Sequence, residues 1–289
     1  MSTDNPPRKR TRTEENDQEN NGQSSNTREL ERLEPSIFNL QPLDETVRAV
    51  GDFLYGYVDR PNVEIEAKLG VLIDKRTNER IQLPVMVETI LSKDDRWLRF
   101  ESNMSLDQHR NFNQILNKRV LETQSSEYRG AKVQYKHTRE RDRYFEQNGK
   151  KVRVTTDQKS GELVAVVEKV RLANLNVYSP GTQLDFRISV NLEIPREVPH
   201  GNCTYERNKD RLSYRHQIWQ FDLTQVKIGE QRANSSVPPE LMHELEVEFA
   251  DPGVLLRERK RLDAKEPNEF LEIVRVFLNN IRMLAKYAL

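Results

Sequence analysis

Hydrophobic and polar residues alternate along much of this chain. In the segment VEIEAKLG, residues 63–70, Glu64, Glu66 and Lys68 stand at every second position with apolar residues between them. Successive side chains of a strand point to opposite faces of a sheet, so the three charges share one face. The segment therefore predicts a strand with one ionic and one apolar face. The pattern alone leaves open whether the ionic face meets water or an interior.

Further strand-like segments follow, and several are separated by turn sequences such as Asn148-Gly149 and Ser160-Gly161. The candidate strands are 63–72, 81–87, 132–138, 141–147, 151–156, 162–172, 184–193, 204–214, 217–228 and 243–249. Many short antiparallel strands with few helices are typical of a sandwich or a barrel. The chain is therefore predicted to be mainly β.

Apolar residues recur at helical spacing in three other segments. Residues 42–58 predict an amphipathic helix with Asp44 as its N-cap, and residues 105–121 predict a second with Ser105 as its cap. A third helix is predicted from about 266 to 287, where a proline lies near the first turn and the last turn is basic. We expect all three helices to pack against the sheet.

Composition limits the possible classes of protein. Charged residues make up 32% of the 289 residues and the formal net charge is zero, so a phosphate-binding site has to come from local clustering. The single cysteine, Cys203, excludes an intramolecular disulfide and suits a reducing compartment. No apolar run approaches the roughly 20 residues that span a bilayer, and no signal peptide opens the chain. A soluble intracellular protein without a membrane partner is expected.

The first 33 residues differ from the rest of the chain. They are polar and charged with almost no apolar residues, which predicts a disordered tail before a folded domain over 34–289. The basic segment PPRKRTR, residues 6–12, is a candidate nuclear-import signal, although a solvated run of charge would look the same.

A second acidic strand mirrors the first. In HELEVEF, residues 243–249, the acids Glu244, Glu246 and Glu248 alternate with apolar residues. If both acidic faces met one cavity, five carboxylates would converge there. Two like charges about 4 Å apart repel by roughly 4 kcal/mol at an effective dielectric near 20, so such a cluster needs cations. Oxygen-rich sites of this kind suit Mg²⁺ or Mn²⁺.

Basic and polar residues alternate in the same way in five further segments. The residues that share a face are Arg153 and Thr155; Lys169 and Arg171; Asp185, Arg187, Ser189, Asn191 and Glu193; Lys209 and Arg211; and Gln220, Asp222 and Thr224. Each face alone is usually a solvated strand surface. Together with the two acidic strands, they predict a closed antiparallel β-barrel with a charged interior and flanking helices. Its acids would hold metal and its Lys and Arg would hold phosphate.

Other catalytic arrangements have little support in the sequence. The chain contains no P-loop, no dinucleotide-binding fingerprint and no HExxH pattern. Cys203 lacks the CxxxxxR context of a cysteine phosphatase.

The motifs VEIEAKLG and ELEVEF resemble the two glutamate motifs of the fungal mRNA 5′-triphosphatases, which are triphosphate tunnel metalloenzymes and components of yeast capping enzymes. The ExExK element alone is shared by a wider superfamily. The fungal group is favoured by R-x-T/S at Arg153, by EKVRLANLNVYSP, by D-x-R-x-S-x-N-x-E, by K-D-R and by F-D-L-T-Q-V. The resemblance covers about residues 36–286.

The resemblance implies a role for each matching acid. The direct metal ligands would be Glu64, Glu66 and Glu248. Glu244 and Glu246 would orient water or support the ligands, and Glu193 would position the attacking water.

The resemblance also implies a set of phosphate-binding residues. The γ-phosphate clamps would be Arg153, Lys209 and Arg211. Further tunnel positions would be Lys68, Thr155, Lys169, Arg187, Asp222 and Thr224. Asp142 is a weaker match, and Gln220 stands where the family often has a basic residue.

The function implied is hydrolysis of the γ-phosphate from triphosphate-ended nascent RNA to a diphosphate end, the first step of cap formation. Hydrolysis of nucleoside triphosphates with manganese is expected as well. A nuclear location, homodimerisation and binding to mRNA guanylyltransferase, to the RNA polymerase II C-terminal domain or to both are expected from the same resemblance.

Two other hypotheses remain. The same tunnel could act on tripolyphosphate, on thiamine triphosphate or in a cyclase reaction, and would then fail on RNA. A barrel that only binds phosphate would show binding without turnover, but it would gain nothing from five glutamates facing its ligand.

Overall fold

The structure is a computed structural model that describes residues 33–92, 96–229 and 240–288. The chain divides into two units, Met1–Pro42 and Leu43–Leu289. In the first, a turn at Ser36 is closed by the Asn39 amide, which donates to the Ser36 carbonyl at 2.9 Å. The predicted disordered tail, apart from its last residue, and the basic segment 6–12 lie outside the described residues. Among the described helices, none is long and apolar enough to cross a membrane.

Within the described part of the second unit, eight antiparallel strands form a closed barrel in the order β10, β9, β8, β4, β5, β6, β7, β1. The barrel closes where β1 pairs with β10, with Glu66 opposite Glu248 and Lys68 opposite Glu246. Two short strands lie beside the barrel strands: β2 pairs with β6, and β3 pairs with β1. The strands are β1 Val63–Asp74, β2 Thr89–Ile90, β3 Leu98–Glu101, β4 Gln134–Gln147, β5 Lys150–Asp157, β6 Leu163–Tyr178, β7 Asp185–Pro195, β8 Tyr205–His216, β9 Trp219–Gly229 and β10 Glu240–Phe249. The predicted closed antiparallel barrel is confirmed.

The helices flank the barrel. They are α1 Glu45–Tyr55, α2 Leu106–Gln124, α3 Gly253–Asp263 and α4 Phe270–Tyr287. Asp44 caps α1 as predicted, since its side chain accepts from the Thr46 and Val47 amides. Ser105 caps α2 within a capping box.

The apolar core lies outside the barrel, between its wall and the helices. Ile65, Leu69 and Leu245 are at most 1% exposed, although they alternate with the charged residues of β1 and β10. The ring of Trp219 lies 4.5 Å from that of Phe249, measured between centroids, and the nearby Phe277 belongs to α4. The helices pack on this apolar face, α2 against β9 and β10 and α4 against β1 and β7, so the opposite face of these strands is left to line the interior.

Several predicted elements differ from the observed ones, and β6 extends to Tyr178, beyond its predicted end at 172. Residues 81–87 form no strand, because Pro84 cannot donate a ladder hydrogen bond; the neighbouring Arg80 makes only an isolated bridge to Ile73. The candidates 132–138 and 141–147 are one continuous strand, β4. The last helix begins at Phe270 rather than near 266.

Three elements were not predicted at all. The helix α3 is mostly charged and buries only Leu255, so it lacks the apolar periodicity that identifies a helix from sequence. The strands β2 and β3 are two and four residues long, which is too short for an alternation to be recognised.

Gly70 of β1 allows another segment to approach closely. A Cβ atom at this position would lie 2.1 Å from the carbonyl oxygen of Glu101. We expect Gly70→Ala to force a backbone shift and to destabilise the protein by about 2 kcal/mol. In thermal unfolding the Tm should fall by about 4–8 °C. Gly181→Ala is the matched control, because no atom lies within 4 Å of its added Cβ, and its Tm should stay near that of the wild type. Equal effects of the two changes would contradict this role of Gly70.

Two buried histidines join α2 to the outer face of the barrel. The rings of His109 and His243 lie 4.8 Å apart between centroids, and the Nε2 atom of each has no hydrogen-bond partner. Burial, with a smaller contribution from His243, lowers the pKa of His109 to about 4, although Asp210 opposes the shift. His109 is therefore neutral in the folded protein at neutral pH.

This pKa gives stability a defined pH dependence. The folded-state pKa of His109, about 4, lies below its ordinary value of 6.5, so the unfolded chain binds more protons between these two values. Stability should therefore be full above about pH 6.5 and should fall as the pH drops toward 4. His109→Phe should flatten denaturant-unfolding free energies over this window by on the order of 1–2 kcal/mol. The exposed His200 offers a control: if His200→Phe flattens the profile as much, the assignment to His109 is wrong.

Candidate active site

The barrel encloses a cavity of about 390 Å³. Alternate residues of its strands point inward, so acids and bases that are far apart in sequence face one another across it. The lining consists of Glu64, Glu66, Lys68, Glu140, Asp142, Tyr144, Arg153, Thr155, Val164, Ala165, Lys169, Arg171, Glu193, Arg207, Lys209, Arg211, Glu244, Glu246 and Glu248. An apolar groove between α2 and α4 lies outside the barrel and gathers no comparable set of ionic groups. The cavity is therefore the candidate site.

The acids of β1 meet a lysine from β6. The Lys169 ammonium lies 2.5 Å from Glu64 Oε2 and 3.4 Å from Glu66 Oε1. Asn191 Nδ2 donates to the same two oxygens at 2.8 and 3.1 Å. Burial alone would lower the pKa of Lys169, but the carboxylates of Glu66 and Glu64 raise it. Lys169 therefore stays charged and partly compensates these two acids.

A second lysine links the two glutamate strands. Lys68 of β1 contacts Glu246 of β10, its register partner, and lies 3.7 Å from Glu66 Oε2. Burial opposes both charges, yet the carboxylates raise the pKa of Lys68, while Lys68 and Arg211 lower the pKa of Glu246. Both groups therefore stay ionised inside the barrel.

Glu248 shows the strongest crowding of negative charge. Burial, followed by the charges of Asp222, Glu246 and Glu64, raises the pKa of its carboxyl to about 9. Gln220 Nε2 donates to Glu248 Oε1 at 2.6 Å and to Asp222 Oδ2 at 3.1 Å. An uncharged amide thus bridges two acids where a basic side chain was expected from the resemblance.

The donor chemistry of this wall fits a divalent cation. Glu66 and Glu248 are register partners across the barrel seam, and a positive ion beside Glu248 would offset the burial and the repulsion that raise its pKa. Carboxylate oxygens are preferred ligands of Mg²⁺ and Mn²⁺. Among the described residues, however, no three His, Cys, Asp or Glu side chains form a ready metal cage. A metal at Glu64 and Glu66 would replace the contacts that Lys169 makes.

The basic side chains on the other strands are held by acids of their own. Lys209 Nζ lies 2.6 Å from Asp142 Oδ2, and Thr155 Oγ1 donates to Asp142 Oδ1 at 2.6 Å. Arg153 Nη2 donates to Glu193 Oε1 at 2.8 Å. Burial would raise the pKa of Asp142, but Lys209 lowers it, so the pair is ionic. These contacts fix the cations in place before any ligand binds.

Two arginines of β8 complete the basic wall. Arg211 Nη1 lies 3.2 Å from Asp222 Oδ2, and Arg207 Nη2 donates to Glu244 Oε1 at 3.3 Å. Ser102 Oγ donates to the same oxygen of Glu244 at 3.2 Å. Glu244 is therefore paired with a basic residue of β8.

Most of the predicted site residues come together in this cavity. Those in its lining are Glu64, Glu66, Lys68, Arg153, Thr155, Lys169, Glu193, Lys209, Arg211, Glu244, Glu246 and Glu248. Asp222 and Thr224 are each 1% exposed and are the register partners of Glu246 and Glu244, so they share the inner face without belonging to the lining. Arg187 also lies outside the lining, where Arg187 Nε donates to Asn176 Oδ1 at 2.7 Å and the guanidinium covers the Phe100 ring.

Asp185 lies on the ionic face of β7, but its carboxylate binds backbone amides and an arginine outside the cavity lining. It is fully buried and accepts from the Leu72 amide at 2.9 Å and from the Ser179 amide at 3.0 Å. Arg80 Nη2 donates to Asp185 Oδ1 at 2.6 Å. The ionic face of β7 therefore reaches beyond the cavity, where its first residue organises a loop.

The cavity contains residues that sequence reasoning did not assign to the site. Glu140 and Tyr144 of β4 and Arg207 of β8 were missed, and Asp142 was given only a weak assignment. In the segment E-R-D-R-Y, residues 140–144, the positions between Glu140, Asp142 and Tyr144 are arginines instead of apolar residues, so the pattern of the glutamate motifs is absent. Arg207 stands two positions before Lys209, so the same period of two would have identified it.

A closed antiparallel barrel whose interior joins a carboxylate wall to an Arg and Lys wall defines the chain as a triphosphate tunnel protein. The family model described as mRNA capping enzyme, beta chain, matches residues 40–288. The chain belongs to this family, and the resemblance found in the sequence is confirmed. Membership of the family implies a divalent metal cofactor.

The chain is similar to characterised fungal proteins over most of its length. It is 40% identical to the mRNA-capping enzyme subunit beta of Cryptococcus neoformans, a match that covers 94% of this chain and 69% of that protein. The solved structure of Schizosaccharomyces pombe Pct1 RNA triphosphatase matches with a TM-score of 0.81 and 32% identity, and covers 89% of this chain and 99% of that one. Pct1 in complex with the Spt5 CTD matches with a TM-score of 0.82 and 32% identity, covering 89% of this chain and 98% of that one.

Proposed function

We propose that this chain hydrolyses the γ-phosphate of triphosphate-ended nascent RNA and leaves a diphosphate end, the first step of mRNA cap formation. The observation that carries the proposal is the opposition, within one closed tunnel, of the Glu64 and Glu66 wall to Arg153, Lys209 and Arg211. A triphosphate carries enough negative charge to meet both a metal and several cations. The names of the relatives support RNA as the substrate.

Arg153, Lys209 and Arg211 are the residues that would bind the γ-phosphate. Each is already charged and positioned by a carboxylate, so it donates to phosphate oxygens without further ordering. Burial would lower the pKa of Arg153 and Arg211, yet neighbouring acids raise both. The cations therefore keep their charge while the γ-phosphoryl group is transferred and negative charge develops on the departing β-phosphate.

Glu193 would orient the attacking water. Its Oε1 atom accepts from Arg153, and its side chain lines the cavity. A carboxylate in contact with a phosphate-binding arginine can accept a hydrogen bond from water on the side of the γ-phosphate, for in-line attack without a covalent intermediate. Glu246, held by Lys68, and Glu244, held by Arg207, support the neighbouring positions.

Glu64, Glu66 and Glu248 would hold a divalent metal, for which we propose Mg²⁺ or Mn²⁺. When bound, the metal supplies neutralisation of charge on the phosphate oxygens. With manganese, free nucleoside triphosphates are expected to be hydrolysed too, because the metal and the cations that bind the γ-phosphate contact only the triphosphate.

The decisive experiment measures phosphate release from γ-labelled triphosphate-ended RNA in Mg²⁺ and in Mn²⁺, with identification of the RNA end that remains. We expect release of inorganic phosphate and a 5′-diphosphate end. Turnover of tripolyphosphate with none of RNA would assign the tunnel to another triphosphate. Tight binding of RNA without any turnover would make the protein a phosphate-binding scaffold.

Partners and location belong to the same proposal. We propose a nuclear protein that homodimerises and binds mRNA guanylyltransferase, the RNA polymerase II C-terminal domain, or both. The complex of Pct1 with the Spt5 CTD supports a tail of this general kind as a partner. Light scattering tests the dimer, and titration with synthetic Spt5 and polymerase II tail peptides, with and without phosphate, tests the tail partner.

A further inference from the structure

Two tyrosines stack face to face where β4 and β8 pair. The rings of Tyr144 and Tyr205 lie 4.2 Å apart between centroids and are inclined by only 6°. The two residues are register partners, and Tyr144 is also the register partner of Arg153 on β5. The stack is therefore directly beside one of the groups proposed to bind the γ-phosphate.

The surroundings of the stack are cationic. The Lys151 ammonium lies 4.5 Å from the Tyr205 ring centroid and 5.3 Å from that of Tyr144. Arg207 and Tyr144 both line the tunnel cavity. Burial, followed by Tyr144, raises the pKa of Tyr205, so the Tyr205 phenol stays uncharged and does not repel an anionic ligand.

The proposed reaction leaves this aromatic surface without a role. A triphosphate has no flat face, and its oxygens are recognised by Arg, Lys and metal. A nucleobase does have a π-face, and stacking on an aromatic side chain binds any base without reading its sequence. A nascent transcript can begin with different nucleotides, so recognition that tolerates every base suits its first nucleotide.

We propose that Tyr144, supported from behind by Tyr205, is the subsite for the first nucleotide of the RNA. The base stacks on Tyr144, and Lys151 contacts the α-phosphate. The inference deepens the proposed function and rests on it. It also separates two parts of recognition: the ionic tunnel binds the triphosphate, and the tyrosine stack distinguishes a nucleotide from a bare polyphosphate.

The test compares ligands that differ only in having a base. For Tyr144→Ala, the KM for ATP and for triphosphate-ended RNA should rise roughly tenfold, the usual effect of losing one base stack. The inhibition constant of tripolyphosphate, measured as a competitor of RNA hydrolysis, should change by less than about twofold because tripolyphosphate has no base to stack. Tyr144→Phe retains the ring and should keep the KM for RNA within about threefold of the wild-type value.

Two further variants keep the test decisive. Tyr144→Leu keeps much of the apolar volume but has no aromatic face, so the KM for RNA should rise as in Tyr144→Ala. This variant keeps the test valid if the smaller alanine side chain of Tyr144→Ala destabilises the barrel. Tyr135→Ala removes a tyrosine from another aromatic pair, with Tyr214, and Tyr135 is 48% exposed and absent from the cavity lining; its constants should match those of the wild type. Equal changes for RNA and tripolyphosphate, or no change for either, would overturn the subsite. A wild-type protein that releases no phosphate from RNA or ATP would instead overturn the proposed function.

Discussion

Replacement of Glu66 by alanine is expected to reduce metal-dependent phosphate release by roughly a thousandfold or more. Glu66 is 3% exposed, faces Glu248 across the seam between β1 and β10, and shares Lys169 with Glu64. Removing it takes away a proposed metal ligand and leaves Lys169 to pair with Glu64 alone. Glu64→Ala should have the same effect for the same reason.

The measurement is phosphate release from γ-labelled RNA across a range of Mg²⁺ and Mn²⁺ concentrations. Glu66→Gln is the informative companion, because it keeps the volume of the side chain and removes only the charge. It should lose activity with little change in Tm. Glu272→Ala, an exposed acid on α4 paired with Arg275, is the control and should keep wild-type activity. Near-normal turnover by either Glu64→Ala or Glu66→Ala in both metals would show that the metal assignment is wrong.

Lys209→Ala is expected to lower phosphate release by roughly 10²- to 10³-fold, because a fixed cation facing the γ-phosphate is lost. The same change should also destabilise the fold. Asp142 is 1% exposed, and Lys209 lowers the pKa of its carboxyl group. Removal of the Lys209 side chain therefore leaves the buried Asp142 carboxylate without its main partner. Breaking a buried pair in this way costs about 3–5 kcal/mol.

The double variant Lys209→Ala with Asp142→Asn separates the two effects. The amide carries no charge and still accepts from Thr155, so most of the Tm lost in Lys209→Ala should return. Phosphate release should stay low, since the cation is still missing. Recovery of both Tm and turnover in the double variant would show that Lys209 acts only through stability.

Alternation along the strands was enough to predict the barrel and most of its inner face. The period of two determines which side chains share a face. Two acidic faces in one cavity need cations, and the basic faces of the other strands supply them. It also correctly placed Ile65 and Leu245 outward. The method failed where an element has no such pattern, as in the charged helix α3, or where a strand was divided, as in β4.

The pairing of charges inside the tunnel could not be predicted from the sequence. Which acid meets Lys169 or Lys209 depends on strand register and on the tilt of the closed barrel, and neither follows from local patterns. Glu244 illustrates this: the sequence correctly placed it on the face of Glu246 and Glu248, but it did not indicate the contacts with Arg207 and Ser102. The raised pKa of Glu248 likewise depends on the positions of Asp222 and Glu64 on other strands.

The seam that closes the barrel joins the first long strand to the last one. Glu66 and Glu248 come from opposite ends of the folded chain, so this pairing cannot form until nearly the whole protein has left the ribosome. Pairings so distant in sequence form slowly, because the loop-closure entropy of the entire chain opposes them. A ribosome-bound chain that lacks β10 therefore presents an open sheet whose β1 edge is unpaired, which is the form most in need of a chaperone. Hydrolytic activity appears only as a late, all-or-none event in the life of each molecule.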